Sequence, residues 1–187
     1  MSKTLKTILV IVAAIVVLCA AVVVGGGIFA SRIAGNAISM DATKVSQVAD
    51  GISPHLVPNG FTPVMSMDIM GVKMAMFGND DQNGLITMMA MPAGASDADV
   101  ERAMTQALDS QSGKQKVNWS KSETQPVTIN GKEVQMKFSQ GADSKGNAMR
   151  SITGAFTGEN GTVGLFIMGT DATWNQAAID AFLASLK

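Results

Sequence analysis

The chain has little of what most active sites and metal centres are built from. It holds one cysteine, Cys19, one histidine, His55, and no tyrosine. A lone cysteine excludes an intramolecular disulfide framework and a cysteine-based zinc site. A lone histidine excludes a histidine-cluster metal site within one chain. Charge is sparse at 16%, with 14 basic against 15 acidic residues, so the strongly basic balance of a nucleic-acid-coating protein is absent. Neither a GxGxxG nor a P-loop sequence occurs, which leaves nucleotide binding unsupported. No GxSxG elbow marks a hydrolase nucleophile. Without tyrosine, the chain lacks the aromatic richness of a carbohydrate or single-strand platform. A disordered tail is excluded from the other side, because 47% of the residues are hydrophobic.

What is present divides into two pieces. From Ile8 to Ala30 no residue is charged, and the run reads ILVIVAAIVVLCAAVVVGGGIFA. About 20 apolar residues suffice to span a bilayer core as a helix. Lys3 and Lys6 precede the run and only Arg32 follows closely, so the positive-inside rule keeps the N-terminus cytoplasmic and exports the remainder. The alternative is a signal peptide cut after Ala30, but the run is longer than the usual secretory core. Cys19 follows Leu18 and apolar sequence continues past it, which fits a buried membrane-helix side chain better than a lipidated cysteine. Gly27, Ser31 and Gly35 fall at the four-residue spacing of close helix pairs, and read best as the exit from the membrane. The expected layout is a cytoplasmic tail at 1–7, an anchor at 8–30, a juxtamembrane linker at 31–54 and an exported domain at 55–187. That places a single-pass protein in a membrane, in a bacterial cell envelope, with its C-terminal domain outside the cytoplasm.

Beyond Asp41 acidic residues outnumber basic ones, and the size is that of one ordinary domain. Asp41–Asp50 suits a short helix with Val45, Val48 and Ala49 on one side. In Val64–Ile69, apolar Met65, Met67 and Ile69 alternate with Ser66 and Asp68. Val72, Met74 and Met76 alternate with Lys73 and Ala75. Such period-two alternation signals half-buried strands, with Met70-Gly71 between them as a turn or bulge. Leu85–Met91 continues the strand block. Ser96–Ser110 reads as a capped helix whose buried stripe is Val100, Ala103, Met104, Ala107 and Leu108. Asn130-Gly131 between Val127–Ile129 and Val134–Phe138 is a strong hairpin signal. Gly158–Gly161 joins a second hairpin of Met149–Phe156 and Thr162–Met168. Thr173 is placed to cap a final helix to Leu186, with Trp174, Ala177, Ala178, Ala181, Phe182 and Leu186 buried. These elements predict an α+β protein: an N-terminal transmembrane helix, then a mainly antiparallel sheet of about six strands with two helices packed on one face.

The phrases Leu56-Val57-Pro58-Asn59-Gly60-Phe61 and Val127-Thr128-Ile129-Asn130-Gly131, with Gly169, Trp174 and the ending Ile179–Leu186, resemble the plan of PsbP/Mog1-like α+β domains. They also resemble uncharacterised membrane-anchored bacterial proteins with a similar tail. The resemblance covers most of residues 55–187 on generic motifs. It implies an accessory or binding module and transfers no catalytic residue.

Fourteen methionines are the unusual count, eight of them between Met65 and Met91. Thioethers are soft ligands suited to Cu(I), and Met65, Met67, Met74 and Met76 are the candidate ligands. Adaptable core packing is the competing explanation, and a Met-rich face for partners is a third. His55, in a loop beside Pro54, has no evident nucleophile. Asp80-Asp81 lacks the regular spacing of a calcium loop. Asn118-Trp119-Ser120 and Asn160-Gly161-Thr162 match the N-glycosylation pattern, which matters only in a eukaryotic secretory route. Trp119 and Trp174 read as core or rim aromatics. The functional expectation is a non-enzymatic binding or scaffolding module at a membrane surface. It touches the membrane through residues 8–30 and engages a protein partner or small ligand, with no cofactor and no nucleic acid. The alternatives are a Cu(I)-handling module and an exported hydrolase without a recognisable motif.

Overall fold

The computed structural model describes residues 37–69, 71–79, 83–91 and 117–187. The chain runs β1 (Ile38–Ser39), α1 (Ala42–Ile52), β2 (Phe61–Ile69), β3 (Val72–Asn79), β4 (Gly84–Ala90), β5 (Asn118–Ile129), β6 (Lys132–Ala142), β7 (Ala148–Gly158), β8 (Gly161–Thr170) and α2 (Gln176–Ser185). Among the described residues eight strands join one sheet in the order β1-β2-β3-β4-β8-β7-β6-β5, and every pairing is antiparallel.

Local chemistry explains the turns. Asn130 (φ 49°) and Gly131 (φ 71°) form the two-residue hairpin between β5 and β6, in the left-handed conformation that these residue types tolerate. Glu159 and Asn160 join β7 to β8, with Gly161 at φ 126°. Asp41 caps α1 by accepting the Lys44 amide at 3.0 Å, which satisfies one orphan donor of the first turn. Asn175, rather than Thr173, caps α2 through the Ala178 amide at 3.1 Å. The helix therefore starts later than the spacing suggests. Ile179, Phe182 and Leu183 are buried while Ala177 and Ala181 are exposed.

The register defines two faces. On the helix face one row runs Pro63, Phe77, Ile86, Ile167, Ile152, Phe138 and Glu123 from β2 to β5. Phe77, Ile86, Ile167 and Ile152 are buried there with Val45, Ala49 and Ile52 of α1 and Ile179, Phe182 and Leu183 of α2. Each of these side chains larger than alanine contributes about 1.5–3 kcal/mol by leaving water. The opposite, methionine face carries Met65, Met67, Met74, Met76 and Met89, with Phe166, Leu85 and Met168 further along.

Several expectations are corrected by this arrangement. The fold is largely sheet, with eight strands among the described residues instead of about six. The strand added to those named from sequence is β1, from the segment read as linker, whose α1 also packs into the main core. The expected Val127–Ile129 strand reaches back to Asn118 as β5, where almost every residue is exposed. This edge strand is held by backbone pairing and shows no apolar alternation. The alternation in β2 and β3 suggested a single buried face, yet Ser66 and Ala75 on the other side are also buried, beneath α1. The expected transmembrane helix at 8–30 and the helix at Ser96–Ser110 lie outside the described residues. Among the described residues no helix is long and apolar enough to cross a membrane.

Candidate functional site

The helix face is incompletely covered at its β5 end. Along the row above, Ile152 is buried, Phe138 half-buried and Glu123 exposed. The result is a groove bounded by Glu123 and Gln125 of β5, Phe138 and Gln140 of β6, Arg150 of β7, and Trp174 and Gln176 at the start of α2. Period two brings the strand residues together: 123 and 125, 138 and 140, and 150 all point to one face.

The turn after β8 sets the far wall. Thr173 donates its amide to the Thr170 carbonyl at 3.0 Å, and the two threonine hydroxyls pair at 3.0 Å. Asp171 donates its amide to the Ala148 carbonyl, and its carboxylate takes the Arg150 Nε–H. This ties the turn to β7 and swings Trp174 over the sheet. The Trp174 indole N–H then donates to Gln176 Oε1 at 2.8 Å, and Gln176 Nε2 donates to Asp180 at 2.8 Å. Across the groove Gln125 Nε2 donates to Glu123 Oε1 at 2.6 Å, and Lys121 lies 3.6 Å from Glu123. Both charges in the groove thus have opposite partners. The Gln140 amide is exposed and makes no hydrogen bond among the described residues.

The chemistry is that of a neutral, amide-rimmed slot over an aromatic floor. Its volume of about 220 Å³ is below the several hundred Å³ usual for an enclosed small-molecule site. It suits a side chain or a short stretch of extended backbone, whose N–H and C=O groups match glutamine amides in both roles.

The methionines named from sequence are brought together. Met65 pairs across strands with Met76, and Met67 with Met74. Met74 also pairs with Met89 of β4, a position the spacing did not single out. His55 is not part of either site. Its side chain is 2% exposed, its Nδ1 lies 2.8 Å from the Ser53 carbonyl, and its ring packs edge-on against Phe77 and Phe182. Trp119 is exposed at the bulged start of β5, on which Asn118 also lies. Asn160 donates to the Gly51 carbonyl at 3.3 Å. Asp80, Asp81, Cys19, Gly27, Ser31 and Gly35 lie outside the described residues. Sequence reasoning missed Glu123, Gln125, Gln140, Arg150 and Gln176. Its available signal was the polar run Ser120–Gln125 beside apolar strands, which marks a strand end without burial.

No protein-family model matches the chain, and no curated protein sequence matches it.

Proposed function

We propose that this chain is a binding module held at a membrane surface through its apolar run at 8–30, with the folded sheet on the extracytoplasmic side. Its groove takes an extended segment of a protein partner. The carrying observation is the loss of helix cover at Phe138 and Glu123, which leaves aromatic surface rimmed by the amides of Gln125, Gln140 and Gln176. Backbone amides of a partner are the groups such a rim hydrogen-bonds without charge selection. The uncharged run and its flanking lysines support the membrane location. The resemblance to PsbP/Mog1-like domains supports an accessory role.

The test is site-specific photo-cross-linking of the full-length protein in its own membranes. A photoreactive residue is placed at Gln140, in the groove, and separately at Lys137, on the methionine face. A partner captured from 140 but not from 137, and lost when Gln125 and Gln176 are both changed to Arg, supports the reading. Equal capture from both positions, or none from 140, overturns it.

A further inference from the structure

The methionine face carries a second arrangement independent of the groove. One register row reads Ile38, Met67, Met74 and Met89 across β1 to β4. The adjacent row holds Met65 and Met76. Directly opposed residues in an antiparallel pair stand about 5 Å apart at Cβ, and a methionine side chain is long and unbranched. Met74 therefore has Met67 on one flank, Met89 on the other and Met76 two residues along its own strand. Ile38, Val64, Ile69 and Val72 complete the cluster. Among the described residues no carboxylate, imidazole or thiol stands in these rows across β1 to β4, where Thr87 of β4 faces Met76, and no residue of either described helix belongs to the cluster.

From this geometry we propose that Met67, Met74 and Met89, with Met65 and Met76 beside them, form a thioether-only site for Cu(I). Three observations select that ion. The proposed donors are soft thioether sulfurs, which suit Cu(I) better than hard cations. The surroundings are apolar, and the desolvation cost of an ion rises with the square of its charge, so a monovalent ion enters where a divalent one is rejected. Burial is graded: Met65, Met67 and Met74 are 3%, 5% and 4% exposed, whereas Met76 and Met89 are partly exposed and offer an entry. Packing alone accounts for apolar side chains here, but leucine would serve it equally. The thioether is what the test must isolate.

Purified full-length protein in detergent is loaded with Cu(I) under reducing conditions and challenged with a Cu(I)-specific chromogenic chelator. The expected result is retention of about one equivalent. Retention should weaken by at least about tenfold in the triple variant Met67→Leu, Met74→Leu, Met89→Leu, which conserves apolar volume. The control Met136→Leu, buried on the helix face, should retain copper like the parent. No retention by the parent, or equal retention by the triple variant, overturns the site. A second readout needs no variant. Carbon-13-labelled methionine methyl resonances are followed as Ag(I), a soft monovalent probe, is added. Selective shifts of Met67, Met74 and Met89 support the proposal. Uniform shifts across all methionines, or none, overturn it.

Discussion

Ser53 and Lys187, 134 positions apart, are joined by a reciprocal pair of hydrogen bonds. The Ser53 hydroxyl donates to the Lys187 main-chain oxygen at 2.8 Å and accepts from the Lys187 amide at 3.0 Å. Ser53 is fully buried and caps α1, its own amide bonding the Ala49 carbonyl. Next to it Ser185 accepts the Leu56 amide at 2.9 Å. One hydroxyl thus fastens the end of α1 to the end of α2, both of which pack into the main core. Ser53→Ala leaves a donor and an acceptor of Lys187 without this partner, a loss of about 1–3 kcal/mol. Chemical denaturation should show that loss, with faster amide exchange confined first to the end of α2. An unchanged midpoint would mean water replaces the hydroxyl at no cost.

Gly141 marks where β5 bulges against β6. A Cβ built there would collide with the Asn118 carbonyl oxygen and lie 2.9 Å from the Trp119 Cα. Both obstacles are backbone, at the position where the register shifts between Trp119 and Lys121. Bulges re-aim the strand that carries them, and this one sets the path of β5 into Glu123 and Gln125. Gly141→Ala should cost about 1–3 kcal/mol by overpacking. It should also raise amide exchange in residues 118–125 while the β7–β8 hairpin stays protected. Equal loss of protection in both places would mean that β5 is not the element displaced.

Legibility followed the range of the interaction. Asn130-Gly131 and the Gly158–Gly161 turn were readable because their backbone requirements are written in the turn residues themselves. The strands holding Met65, Met67, Met74 and Met76 were readable from alternation, and so was their sharing of a face within each strand. Their cross-strand pairing, and the addition of Met89, depend on register between strands, which alternation does not specify. The groove was harder still. It exists because α2 starts at Gln176 and leaves Phe138 half-covered, and neither fact is local to β6. The helix-face burial of Ser66 and Ala75 was hidden for a related reason. A small or polar residue inside an alternating pattern reads as outward-facing until a helix such as α1 is known to lie over it.

His55 is held by one hydrogen bond and two rings. Nδ1 faces the Ser53 carbonyl at 2.8 Å, with Asp50 3.7 Å away, while Nε2 is buried with no hydrogen-bond partner among the described residues. In the neutral ring the proton therefore sits on Nδ1, since only that nitrogen has an acceptor to meet. Nitrogen-15 shifts of the imidazole should report the Nδ1–H tautomer as dominant. The ring packs at 5.5 Å from Phe77 and 5.9 Å from Phe182, so His55→Ala opens a gap between β3 and α2. A loss of about 2–5 kcal/mol follows, as for other large-to-small changes in a core. An Nε2–H tautomer, or a tolerated alanine, would show that the ring does not bridge the two elements.

Asp143 gives the fold a pH dependence at its acid end. It opens the β6–β7 turn, where its carboxylate accepts the Asn147 side-chain amide and the backbone amides of Asn147 and Lys145, each at 2.8 Å. These bonds favour the ionised form, the Asn147 side-chain bond most of all, and hold the carboxyl below its ordinary value of 3.8. A carboxyl whose folded pKa is lowered stabilises the fold fully above its unfolded pKa. The contribution is then lost as pH falls through the folded value. The turn should accordingly show no pH response of this origin near neutrality and should weaken only on acidification below about pH 3.8. Asp143→Asn removes the charge while keeping the shape. Urea denaturation of both proteins should separate their midpoints at pH 7, and the gap should narrow as the pH is lowered past that point. A gap that stays constant down to acid would assign the turn's stability to hydrogen-bond geometry alone, with no part played by the ionised carboxylate.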